Sequence, residues 1–152
     1  MSSSPFSNMS CPTDGKHNKE LRSKGWIDST GTLVATHDAT TAHLGAPWRM
    51  PTSDELKALV ENCTTEWIAT NGVSGCLVTG KGEYANRSIF LPGVGYGDEL
   101  QLSEPGSSGC CWSSASASSH QAWNLDFDPE STERSDDSRY YGQSVRLVRY
   151  AG

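Results

Sequence analysis

Between residues 72 and 109 glycine recurs at positions 72, 75, 80, 82, 93, 95, 97, 106 and 109, leaving only short apolar pieces at 76–79 and 88–91. Glycine marks turns and weakens the interior of regular elements, so this stretch reads as short strands joined by long loops. Upstream the pattern is helical. Residues 53–62 carry the clearest helix: Thr52 as N-cap with Glu55 three residues on makes a capping box, and Leu56, Leu59, Val60 and Cys63 form one apolar stripe that points into a core. Residues 39–44 suit a brief helix stopped by Gly45 and Pro47, and Pro51 turns the chain toward the next helix. Short strands are expected at 26–27 and 32–36.

Strict alternation appears at 122–128. Trp123, Leu125 and Phe127 would face inward, while Asn124, Asp126 and Asp128 form a wet polar face. Residues 144–150 are apolar on both faces and are expected at the centre of the sheet. Two helices followed by several strands is an α+β order. Leu, Ile, Val and Phe total 24 of 152 residues, about 16%, which alone would point to disorder. Five Trp and five Tyr oppose that, since each buried aromatic removes about 150–250 Å² from water. Residues 1–22, Ser-rich and then mixed in charge, read as a loose leader, and 23–152 as a single domain.

Several function classes fall away. No apolar run approaches the ~20 residues that cross a bilayer. The first ten residues are polar and lack the basic and apolar regions of an export signal, which leaves localisation open. A formal net charge of −6 disfavours nucleic acid. The five cysteines (11, 63, 76, 110 and 111) show no zinc spacing; small buried thiols are preferred to a Cys63–Cys76 disulfide. The four histidines (17, 37, 43 and 120) have no acid in a catalytic frame, GxSxG does not occur, and the 93–97 glycine loop lacks a Lys-Ser/Thr tail. No catalytic residue, metal ligand or cofactor is expected. Glu104-Pro105-Gly106 and Trp123-Asn124 with Asp126 resemble a calcium lectin's sugar site only in part, because the amide that would hold both calcium and a sugar hydroxyl is missing.

The informative region is 115–141, with six acids (126, 128, 130, 133, 136 and 137) against Arg134 and Arg139. Small polar residues beside paired tyrosines have the chemistry of an adaptable recognition surface. Rigid signals flank it, Trp112-Ser113-Ser114 before and 142–148 after, and loops held by a stiff scaffold are where binding sites usually lie.

Taken in order, Trp48-Arg49-Met50-Pro51-Thr52, Ser88-Ile89-Phe90-Leu91-Pro92, Trp112-Ser113-Ser114 and Gly142-Gln143-Ser144-Val145-Arg146 resemble the Fibrobacter succinogenes major paralogous domain over residues 38–149. That family is similar to C-type lectin-like proteins, to formylglycine-generating enzymes and to the variable proteins of diversity-generating retroelements. The resemblance implies a C-type lectin-like fold: two helices, a mixed and mainly antiparallel sheet in which the 145–150 strand pairs with the N-terminal one, and long loops on one face.

The ending is closest to the variable proteins, where mutagenesis at template adenines diversifies Asn codons and cannot yield Lys, Glu, Gln, Met or Trp. Residues 115–141 contain neither Lys nor Met. The resemblance implies a ligand-binding set of Ser116, Ser118, Ser119, His120, Asn124, Asp126, Asp128, Thr132, Arg134, Ser135, Asp136, Asp137, Ser138, Tyr140 and Tyr141. Cys110 and Cys111 join as further variable positions. Trp112, Trp123, Leu125, Phe127, Arg139, Gly142 and Val145 would be frame; Gln121, Glu130 and Glu133 do not fit the codon rule. The expected function is non-enzymatic recognition of a protein or glycan on a cell or particle surface. The alternatives are a carbohydrate-binding or sulfatase-modifying-enzyme relative, and a structural cell-surface or phage-tail module.

Overall fold

Asp38 ties the N-terminal third together. It caps helix α2 (Ala39–Leu44) by accepting the Thr40 and Thr41 amides at 2.9 and 3.0 Å, and its carboxylate also takes the Met50 amide at 3.0 Å. The computed structural model describes residues 18–98 and 101–149. Helix α1 (Asn18–Ser23) precedes Asp38, and helix α3 (Ser53–Asn62) follows with the bounds and capping box that the sequence predicts. The Glu55 amide donates to Thr52 Oγ1 at 3.1 Å, and Glu55 Oε2 accepts the Thr52 amide at 2.9 Å. Arg49 forks onto the same carboxylate at 2.8 and 2.6 Å, and this bond holds Glu55 below the usual carboxylate range.

Two three-stranded antiparallel sheets sandwich the core. The first has β2 (Cys63–Thr70), β3 (Val73–Gly80) and β4 (Ser88–Pro92) in that order; the second has β7 (Gly109–Ser116), β8 (Gln121–Phe127) and β9 (Thr132–Ser138), with β8 central. Asn71 and Gly72, both at positive φ, close the β2–β3 hairpin in the two-residue turn that Asn-Gly favours. Leu56 of α3 meets Cys76 and Val78 of β3, Leu91 of β4, Cys111 of β7, and Leu125 and Phe127 of β8 in one cluster. Leu59, Val60, Cys63 and Trp67 pack against it, so the predicted helical stripe does face the core. Full burial of Leu125 or Phe127 is worth about 1.5–3 kcal/mol each. Two small pairs complete the architecture: β1 (Trp48–Arg49) with β10 (Val148–Arg149), and β5 (Tyr96–Asp98) with β6 (Gln101–Ser103). The fold is α+β.

Four expectations change. Residues 1–17 of the expected leader lie outside the described residues, but 18–22 belong to α1, and Leu21 is wholly buried there. A third helix therefore joins the two predicted ones. The strands expected at 26–27 and 32–36 shrink to single bridges, Ile27 with Leu33 and Thr32 with Ala115, because Asp28 gathers the Thr30 and Thr32 amides into a tight turn. The 144–150 segment is not central. Ser144 bridges Cys111 on the free edge of β7, and the chain then leaves to pair with β1, since the middle of the sheet is taken by β8. Tyr150, the last residue of that segment, lies outside the described residues.

Candidate recognition face

Register decides which side chains meet. Residues opposite one another across antiparallel strands share a face, and the pairs alternate along β8. Leu125 stands opposite Arg134 and Cys111, Phe127 opposite Thr132 and Gly109, and Trp123 opposite Asp136, all on the face toward α3. Asp126 stands opposite Glu133 and Cys110, Asn124 opposite Ser135 and Trp112, and Ala122 opposite Asp137 on the other face. The predicted ligand-binding residues of β9 are thereby divided. Thr132, Arg134, Asp136 and Ser138 lie on the α3 side, and only Ser135 and Asp137 join Asp126.

Arg134 illustrates the division. Its guanidinium sits 4.3 Å from the Trp123 ring centroid and 3.7 Å from Asp54 Oδ1 at the start of α3, so it extends the helix-facing layer. Thr132 there has its hydroxyl 3.6 Å from the Cys76 thiol.

Asn124 is a correction. The alternation of 122–128 predicts a wet face for it, yet it is 0% exposed. Its Nδ2 donates to Asp137 Oδ2 at 2.9 Å and to Gln143 Oε1 at 3.0 Å, and Gln143 Nε2 donates to the same Asp137 oxygen at 2.9 Å. Gln143 arrives on the segment that Ser144 pins to β7, where the Trp112 amide donates to the Ser144 carbonyl. Sequence spacing gave no sign of this cover, because Gln143 is nineteen positions from Asn124. Asn124 Oδ1 is buried and has no hydrogen-bond partner.

Cys110 and Cys111 are also buried, which removes them from a variable surface. Cys111 is core, its thiol pushed up to about 12 by burial. The Cys110 thiol, raised by burial and by neighbouring Asp126, donates to Asp126 Oδ1 at 3.6 Å. Cys63, Cys76, Cys110 and Cys111 are free thiols, and Cys11 lies outside the described residues. Asp126 itself is held above the usual carboxylate range, first by burial and then by Asp137, Asp128 and Glu133, against the lowering effect of the thiol bond.

The loop before β8 is fastened from below by Arg139, 6% exposed. Its Nη2 donates to Asn18 Oδ1, to Ser116 Oγ at 2.9 Å and to the Ser118 carbonyl at 3.4 Å, while Nη1 donates to the Ser119 carbonyl at 3.1 Å. Ser116 also donates to the Gly31 carbonyl at 2.8 Å, so its hydroxyl is committed to the frame. Ser118 is likewise tied, donating to Gln121 Oε1 at 2.9 Å. Ser119 and His120 are exposed at the tip and pair with each other at 3.1 Å. Asp128 accepts the Glu130 and Ser131 amides at 2.7 and 2.8 Å and so closes the β8–β9 turn.

Beyond Arg139 stands an aromatic platform. The Tyr140 and Tyr141 rings lie 4.3 Å apart with their hydroxyls bonded at 3.0 Å, and Tyr96 meets Tyr141 edge-on at 5.5 Å. Tyr140 is 46% exposed. The hydroxyl bond, with Asp98 nearby, pushes Tyr141 up to about 12. Tyr96 and Asp98 were not among the expected residues. They arrive because Gly97 pairs with Gly142, two glycines whose backbones approach closely.

Among the described residues no group of three or more His, Cys, Asp and Glu side chains is arranged to hold a metal ion, and no helix is long and apolar enough to cross a membrane. Glu104, of the partial lectin motif, turns inward on its own loop to accept Ser108 Oγ at 3.0 Å. Comparison with protein-family models, with curated proteins and with solved structures finds no match to this chain.

Proposed function

We propose that this chain is a non-enzymatic ligand-binding protein of C-type lectin-like fold, displaying a mutable recognition face in the manner of retroelement variable proteins. Its target is a protein or glycan on a cell or particle surface. The observation that carries the reading is a separation of roles along one short segment. Leu125, Phe127 and Arg139 are buried and fasten the frame, whereas Ser119, His120 and Tyr140 are exposed and Asp126, Ser135 and Tyr141 half-exposed. A surface whose side chains are not needed for folding can change its specificity without losing stability.

The test is to replace Asp126, Ser135 and Tyr140 together by Ala, and separately to randomise Ser119, His120, Asp126, Ser135, Tyr140 and Tyr141 in a display library. Melting close to the parent's, with binders selected against unrelated proteins, supports the reading. General unfolding of the variants overturns it. Genomic DNA gives an independent check: a near-identical copy of the 3′ segment, differing only at adenines and lying beside a reverse transcriptase, is the expected context.

A further inference from the structure

We propose that this face takes a positively charged, arginine-bearing segment of a protein partner, seated on the Tyr140–Tyr141 platform and held by Asp98, Asp126 and Asp137. The inference rests on the ligand-binding reading above and names the chemistry of its ligand.

The carboxylates there have no cation of their own. Among the described residues none of these three forms an ion pair. Two of the nearby arginines are occupied elsewhere: Arg139 turns inward to Asn18 and the 116–119 loop, and Arg134 lies over Trp123 against Asp54. Asp137 is also preset, with Oδ2 fixed by Asn124 and Gln143 and Oδ1 left without a donor. Directly beneath, Asn124 Oδ1 is buried and unpartnered, so the network is short of donors as a whole. A guanidinium brings five N–H donors and no acceptor, and its flat face stacks on aromatic rings. An ammonium has three donors and stacks less well. A sulfated glycan or a nucleic acid would bring more negative charge to a face that already holds an excess.

The test measures fluorescence anisotropy of labelled oligo-arginine, oligo-lysine and neutral Gly-Ser peptides of equal length, at low and high salt. Oligo-arginine binds best, and binding weakens as salt rises. Asp126→Asn with Asp137→Asn lowers affinity about tenfold, as does Tyr140→Ala. Asn at 137 keeps an acceptor for Asn124 and Gln143, and melting curves report whether the fold is retained. If the double variant unfolds, Tyr140→Ala, exposed at the surface, carries the test. Glu61→Gln with Glu83→Gln, which remove exposed carboxylates elsewhere, leave binding unchanged. The proposal is overturned by no arginine binding, by lysine binding as well as arginine, by equal loss in the Glu61/Glu83 control, or by selective binding of glycans. Should it fail while the randomised library still folds and yields binders, the recognition reading stands and only the ligand class is wrong.

Discussion

Asn124 Nδ2 lies 2.9 Å from Asp137 Oδ2, although the residue opposite Asp137 in the ladder is Ala122, so the bond runs diagonally from the middle of β8 to β9. It turns an apparently solvent-facing asparagine into the support of the acidic face. Removing a partner from a buried polar network leaves the others unpaired at about 1–3 kcal/mol. Asn124→Ala is expected to lower unfolding free energy by about that amount in urea titrations. Asn124→Asp is expected to be worse at neutral pH and to recover on acidification, because a second carboxylate beside Asp137 must be protonated. Equal stability of Asn124→Asp at both pH values would contradict this placement.

Asp126 gives a pH dependence of defined sign. Its carboxyl is raised in the folded protein, so the fold holds that proton more tightly than the unfolded chain does. The stabilisation is complete below the unfolded value, 3.8, and is lost as pH rises through the raised folded value. Asp126→Asn should therefore melt above the parent at neutral pH, with the advantage vanishing near pH 4. Differential scanning calorimetry across that window checks it.

Arg139 predicts a local effect. Its fork bonds Asn18, Ser116 and two loop carbonyls at once, which a lysine ammonium cannot reproduce. Arg139→Lys should speed hydrogen exchange at the Asn18 amide, which donates to the Ser119 carbonyl, while amides of the β2–β3 hairpin keep their protection. Unchanged exchange at Asn18 would show that the loop is held by other contacts.

Two glycines separate a steric clash from backbone strain. Both have positive φ, yet a Cβ at Gly95 would lie 1.9 Å from the Ser103 carbonyl oxygen, whereas Gly106 has nothing within 4 Å. Gly106→Ala should lose only the left-handed penalty, about 1–2 kcal/mol. Gly95→Ala should prevent native packing, and the contrast is read by near-ultraviolet circular dichroism.

Local signals were legible to the residue. The Thr52–Glu55 box fixes α3, the Gly45 stop ends α2, and the period-2 run places Leu125 and Phe127 in the core, since each depends only on neighbours a few positions away. The candidate face was legible in part. Tyr140, Tyr141 and Asp126 are exposed or half-exposed as the sequence predicts, but the alternation of β9 sends Arg134 and Asp136 to the α3 side, which a reading of 115–141 as one surface misses. Tyr96, Asp98 and Gln143 escaped because chain crossings bring them in from distant positions.

By itself the sequence determined helices α2 and α3, the alternation of β8 and the acidic character of 115–141 with its paired tyrosines, all set by backbone preference, side-chain periodicity and charge. Tertiary structure alone decided which polar residues stay in water. Burial of Asn124 and Arg139 depends on Gln143 and α1 closing over them, and no local pattern encodes a cover supplied by another part of the chain.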